Sequence, residues 1–251
     1  MKKRDKLFSV EDEVALHTDM NRERTHLEDM PEAPEKEADS NACYYSSTAF
    51  EPGVGNGDSA EYRELIRMEQ ECFPASSAPF LSILAGIAGG LFAVPAVFLD
   101  TLGSSLGFIL GLGATVVIGP FAEETLKQSG AVFQLEKMRG SIRYDWQFFL
   151  SGALGGAVFS VLENLIYQYI YLRTLPPEKL ANVMAFRWTI CTALHILCTV
   201  ISSMGLRHVW RDSLEKERPC RIYEAFPWFA AATAVHGLYN LSMTLLNPFD
   251  V

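Results

Sequence analysis

Five apolar runs fill residues 78–246, and four of them carry charged or hydrogen-bonding side chains well inside. The runs are 78–99, 102 to beyond 121, 148–172, 188–206 and 226–246. Each approaches or exceeds the roughly 20 residues a helix needs to cross the hydrocarbon core of a bilayer. The expected fold is therefore all-α: a polytopic membrane helix bundle of about five transmembrane helices. Small residues recur at helix-packing spacing in Gly86-Ile87-Ala88-Gly89-Gly90 and Gly152-Ala153-Leu154-Gly155-Gly156. Such faces let helix backbones approach closely.

Charge divides the chain at the start of the first run. Residues 1–77 hold nine Lys/Arg against 18 Asp/Glu, and residues 78–251 hold twelve of each. The whole net charge of −9 sits in the leader. That leader is rich in Glu, Asp, Ser, Asn and Pro and reads as an acidic, mostly disordered cytoplasmic tail. Within it, 62–72 places Leu65, Ile66 and Met68 among charges and reads as a short interfacial helix. The domain division is 1–77 for the tail and 78–251 for the helical transmembrane domain. Met1–Glu13 has basic residues without an apolar core behind them, so it does not read as a signal peptide. Five cysteines without a Cys-x-x-Cys pair suggest neither a disulfide framework nor a zinc ribbon.

Lys and Arg in the connections orient the bundle. The second-to-third connection carries Lys127, Lys137, Arg139 and Arg143, and the fourth-to-fifth carries Arg207, Arg211, Lys216, Arg218 and Arg221. Both are expected to be cytoplasmic, with the N-terminus inside and the C-terminus outside. The third-to-fourth connection has Arg173, Lys179 and Arg187, which weaken this bias without reversing it. A straight helix from Leu102 to Lys137 would be roughly 53 Å long, against a core of roughly 30 Å. A kink or re-entrant turn is expected at Gly119-Pro120.

The polar intrusions are costly, roughly 2.5–3.5 kcal/mol per central charge on insertion scales. Glu123 and Glu124 stand side by side in the second run, and Lys127 can reach one of them at helical spacing. Glu163, Asn164 and Tyr167 interrupt the third run, Arg187, His195 and Thr199 the fourth, and His236 and Asn240 the fifth. Taken alone, Lys127 reads as a structural partner of a carboxylate, Arg187 as a side chain snorkelling at the membrane edge, and Asn240 as a bridge between two helices. Together, four polar faces on four helices imply one polar site inside the bundle.

These groups suit water activation. A carboxylate can take a proton from water, a histidine can share or donate one, and a histidine with an amide can hold an oxyanion. A metal reading uses the same residues: His195, His236 and a glutamate such as Glu163, with an open water position, as in catalytic zinc sites. A proton-coupled carrier or a scaffold is the competing class, since buried Glu/His relays also serve proton pathways. No inverted repeat supports it.

At these residues the sequence resembles the PrsW family of intramembrane proteases, within the wider group that includes the CAAX prenyl proteases. Glu123, Glu124 and Lys127 match a Glu-Glu-x-x-Lys motif. Phe159, Glu163, Asn164 and Tyr167 match the second motif, Arg187 ahead of His195 the third, and His236 with Asn240 the fourth. The resemblance covers about residues 80–246. Glu163 favours PrsW, because CAAX-type enzymes carry a histidine there. The resemblance implies a multi-pass peptidase working in a lipid bilayer on membrane-anchored protein substrates, in regulated proteolysis of a signalling factor, with no nucleic-acid partner. The expected roles are Glu124, or its neighbour Glu123, as general base, His195 and Glu163 orienting water or binding a metal, and His236 with Asn240 at the oxyanion. The wider group has been described both as metalloproteases and as metal-free glutamate proteases, so the cofactor stays open between zinc and none.

Overall fold

The computed structural model describes residues 59–98 and 108–246, which form helices and short turns with no strand among them. The acidic segment 1–58 and the expected hairpin at Asp100 lie outside the described residues. Helix α1 is Ser59–Cys72. Pro74 and a single 3-10 turn, Ala75–Ser77, lead into α2, Ala78–Phe92, which has a proline in its first turn, where the missing N–H costs nothing.

The second run is helical from Phe108 to Lys127. It consists of α3 (Phe108–Gly113), a π turn (Ala114–Ile118) and α4 (Gly119–Lys127). A proline inside a helix removes one backbone bond and crowds the preceding turn. Here the irregularity expected at Gly119-Pro120 takes the form of that wide π turn just ahead of it. The chain stays helical through Pro120, and the break comes instead at Gln128 (φ −90°, ψ −3°) before α5, Ser129–Lys137.

Helix α6 (Trp146–Ile166) ends in a second π turn, Tyr167–Tyr171. The third-to-fourth connection is helical: α7 (Pro177–Phe186) joins α8 (Thr192–Glu215) through a third π turn, Arg187–Cys191. Helix α9 is Phe226–Leu246. Four stretches are long and apolar enough to cross a membrane: Ala75–Ala96, Ile109–Lys127, Trp146–Tyr171 and Pro177–Glu215. Helix α9, the fifth expected span, has 21 residues, about 31 Å at 1.5 Å each. His236, Tyr239 and Asn240 dilute its apolar character, and it is not among the four.

Helix α6 is central, packed between α2 and α8, with α9 on the far side of α8 and against α4. Glycines set these distances. A Cβ on Gly89 would lie 2.1 Å from the Lys127 carbonyl oxygen, and one on Gly156 2.7 Å from that of His195. Outward-facing Ile109, Leu110, Val117, Ile118 and Phe121 give the α3–α4 stretch an apolar exterior, as a lipid-facing surface requires.

The two basic connections meet at one end of the bundle. Arg207 and Arg211 both bind Asp145, at the start of α6. Helix α1 docks at the same end. Arg139 Nε binds both Glu69 oxygens at 3.0 and 2.9 Å, and Arg143 holds the carbonyls of Gln70 and Phe73 at 2.6 and 2.8 Å. Tyr62 reaches Ser213 on α8 at 3.3 Å. Just inside this end, Gln147 bonds Ser82, and Gln134 bonds Ser82 and Ser141. All four side chains are buried. The hydrogen bonds offset the cost of burying them. Cys191, Cys198 and Cys220 are free thiols.

Candidate active site

Three of the four polar motifs sit beside a π turn, while His236 and Asn240 lie within the unbroken α9. The π turn 114–118 precedes Glu123 and Glu124, 167–171 comes after Glu163 and Asn164, and 187–191 precedes His195. π turns inside helices occur frequently at functional sites. The extra residue in each turn re-aims the neighbouring side chains, here toward the space between α4, α6, α8 and α9.

Lys127 lies at the centre of that space. Its Nζ is 2.8 Å from Glu124 Oε1, 3.3 Å from Glu123 Oε2 and 2.9 Å from His195 Nδ1. The side chain is fully buried, and the ammonium also sits 4.0 Å above the Phe159 ring, a cation–π contact. An ammonium has three donors and no acceptor, so these partners use all of its hydrogens. His195 must then accept at Nδ1 and carry its own proton on Nε2, which faces Glu163 Oε2 at 2.9 Å.

Glu124 is held on every side. Its Oε1 takes Lys127 and, at 3.1 Å, His236 Nδ1; its Oε2 accepts from Thr199 at 3.3 Å. Glu123 is held more loosely. Besides Lys127, its Oε2 lies 3.8 Å from His236 Nε2 and 4.0 Å from His195 Nδ1. The two imidazoles meet edge to face, with centroids 5.0 Å apart.

Glu163 stands behind His195. Arg187 Nη2 comes within 2.9 Å of its Oε2, an ion-pair contact outside hydrogen-bond geometry. Arg187 Nε donates to Asn164 at 3.1 Å, and its guanidinium lies 3.4 Å over the Tyr167 ring. The snorkelling expected of Arg187 is thus corrected. The π turn and the Glu163 carboxylate draw it inward. Asn164 also reaches Thr192 at 3.3 Å, bridging α6 and α8.

The structure brings one oxygen each of Glu123 and Glu124 and one nitrogen each of His195 and His236 within 4.8 Å of one another, all buried. Glu163 falls outside this group, beyond the far nitrogen of His195. Asn240, one turn past His236, donates to the Thr115 carbonyl at 3.0 Å, inside the first π turn. Thr199 and Phe159 complete the surroundings. Thr199 is one turn after His195, and that i+4 spacing is the signal that marks it.

The donor set suits a metal. Two carboxylates and two imidazoles are zinc-type ligands. Bonds of about 2.0–2.2 Å limit two ligands of one zinc to a separation of about 4.4 Å, so a set spread over 4.8 Å needs a small contraction. The set is closed around the Lys127 ammonium.

Comparison with protein families matches residues 78–251 to the PrsW family intramembrane metalloprotease. The chain belongs to the PrsW family. It is an integral membrane peptidase, and this favours the peptidase over a carrier or scaffold. PrsW membership and the buried Glu/His group agree on a site able to hold a metal. No curated protein and no solved structure matches the chain.

Proposed function

We propose that this PrsW-family chain hydrolyses peptide bonds of membrane-anchored proteins with water activated at Glu123. The observation that carries the reading is the convergence of Glu123, Glu124, His195 and His236 from α4, α8 and α9 on one buried point. Glu124 is engaged by Lys127, His236 and Thr199, so the looser Glu123 is the base. Its carboxylate takes a proton from water as the oxygen adds to the scissile carbonyl carbon. The second amide hydrogen of Asn240 stabilises the oxyanion, and Glu124 holds the His236 proton on Nδ1. The tetrahedral intermediate collapses with cleavage of the C–N bond, and the amine leaves with the proton that Glu123 acquired. Glu163 keeps the His195 tautomer fixed. When bound, a divalent ion such as zinc would supply Lewis acidity and a more acidic water.

The substrate is membrane-anchored because the group lies inside helices with apolar outer faces. Regulated proteolysis of a signalling factor is the corresponding role, supported by the family resemblance alone. Basic residues at the end where α1 docks support the reading that this end, and with it the N-terminus, is cytoplasmic. The test is cleavage of a membrane-tethered peptide by purified protein, wild type against Glu123→Gln, with and without a chelator. A loss of about 10²-fold or more in the variant, in line with general-base contributions, supports the reading, and full cleavage by it refutes the reading. Sensitivity to chelator separates metal-dependent from metal-free hydrolysis.

A further inference from the structure

The ammonium of Lys127 contacts three of the four residues that could hold a metal, through Glu123 Oε2, Glu124 Oε1 and His195 Nδ1. We infer that Lys127 is an internal cation occupying the metal seat, so that a divalent ion and the Lys127 ammonium exclude each other. This rests on reading the buried group as the hydrolytic site, and it goes beyond that reading by giving Lys127 control over metal loading.

Charge supports the inference. The buried cluster contains three carboxylates, Glu123, Glu124 and Glu163, and two cationic side chains, Lys127 and Arg187. With neutral imidazoles it carries a single negative charge. A divalent ion added beside Lys127 would leave a net positive charge in a low-dielectric interior, where unbalanced charge is expensive. With Lys127 replaced by an uncharged residue, the same donors carry two negative charges, and one divalent ion neutralises them.

Geometry points the same way. Lys127 is fully buried, pinned by Phe159 on one side and by the three donors on the other. Its backbone is fixed as well, because the Lys127 carbonyl is packed against Gly89 and Gly155. A residue that supported the metal from outside would touch the far side of a ligand, as Glu163 touches His195. Lys127 instead touches the His195 nitrogen opposite Glu163, and one oxygen each of Glu123 and Glu124.

The test is zinc binding by the full chain in detergent, by equilibrium dialysis with elemental analysis, comparing wild type, Lys127→Met and Lys127→Arg. K127M is expected to bind one zinc per chain at least tenfold more tightly than wild type, and K127R to bind as weakly as wild type. Adding His195→Ala to K127M should remove the gain, which places it at this site. If K127M proves poorly folded by size exclusion, Lys127→Gln replaces it with the same expectation. Binding by the folded neutral variant that is no tighter than wild type, weaker, or undetectable overturns the inference, because a supporting lysine would lower affinity when removed. Should the inference fail while Glu123→Gln still abolishes cleavage, the hydrolytic reading survives it.

Discussion

Glu163 fixes the proton of His195. The Oε2–Nε2 distance is 2.9 Å, and the other ring nitrogen faces the Lys127 ammonium, which can only donate. The imidazole therefore presents its lone pair to the Lys127 ammonium that also holds the two glutamates of α4. This is the arrangement in which a carboxylate behind a histidine sets its tautomer and its aim. Replacing Glu163 with Gln keeps the shape but lets the amide either donate or accept. Cleavage of a tethered peptide is expected to fall roughly 10–100-fold, as for other groups that orient a histidine, mainly in kcat. Steady-state kinetics on wild type and Glu163→Gln would show the split.

The packing of α2 against the Glu-Glu-Lys helix depends on Gly89. A methyl group there would lie 2.1 Å from the Lys127 carbonyl oxygen, a backbone atom that cannot swing aside. Gly89→Ala should destabilise the fold by about 1–3 kcal/mol, the usual cost of overpacking. It should also reduce activity by displacing Lys127. Thermal melts in detergent measure the first effect, and peptide cleavage below the melting range measures the second. An unchanged melting temperature would contradict the close approach.

Asp145 gives the chain an acid-sensitive joint outside the membrane segments. Burial pushes its carboxyl upward, but hydrogen bonds and charge from Arg211 and Arg207 outweigh this and hold it below the usual value. A carboxylate with a depressed folded pKa stabilises the fold above its unfolded value, about 3.9, and loses that contribution as pH falls through the folded one. Wild type should therefore lose thermal stability between about pH 5 and pH 3, and Asp145→Asn should lose less over the same window. Parallel slopes for the two proteins would remove Asp145 from the account.

Helix α1 is held by one buried ion pair. Arg139 Nε bonds both oxygens of Glu69, and both side chains are less than a tenth exposed. Breaking a buried pair from one side leaves an uncompensated charge and costs about 3–5 kcal/mol. Glu69→Ala should lower the melting temperature and free α1 for protease attack. Limited proteolysis with mass mapping would show new cuts within Ser59–Cys72. A variant as resistant as wild type would mean that Arg143, through the carbonyls of Gln70 and Phe73, suffices to hold the helix.

Much of the fold and the site was legible in the sequence because helical periodicity is local. Runs of about 20 apolar residues forced helices, and polar residues three, four or eight apart had to share a face. Glu123 with Lys127, Glu163 with Tyr167 and His236 with Asn240 could therefore be grouped before any fold was known. Their order along the chain was enough to suggest the PrsW family. The distances between faces were not local. They come from glycines such as Gly89 and Gly156, which let one backbone touch another, and from π turns that rotate the adjoining helical segments. Only the tertiary structure set Glu163 behind His195 instead of beside it, turned Arg187 inward, and tied Asn240 to the Thr115 carbonyl. Only there does Lys127, which in sequence looks like a partner for one carboxylate, reach two carboxylates and a histidine. A side chain's contacts across helices depend on crossing and closeness, which residues far apart in the chain fix together.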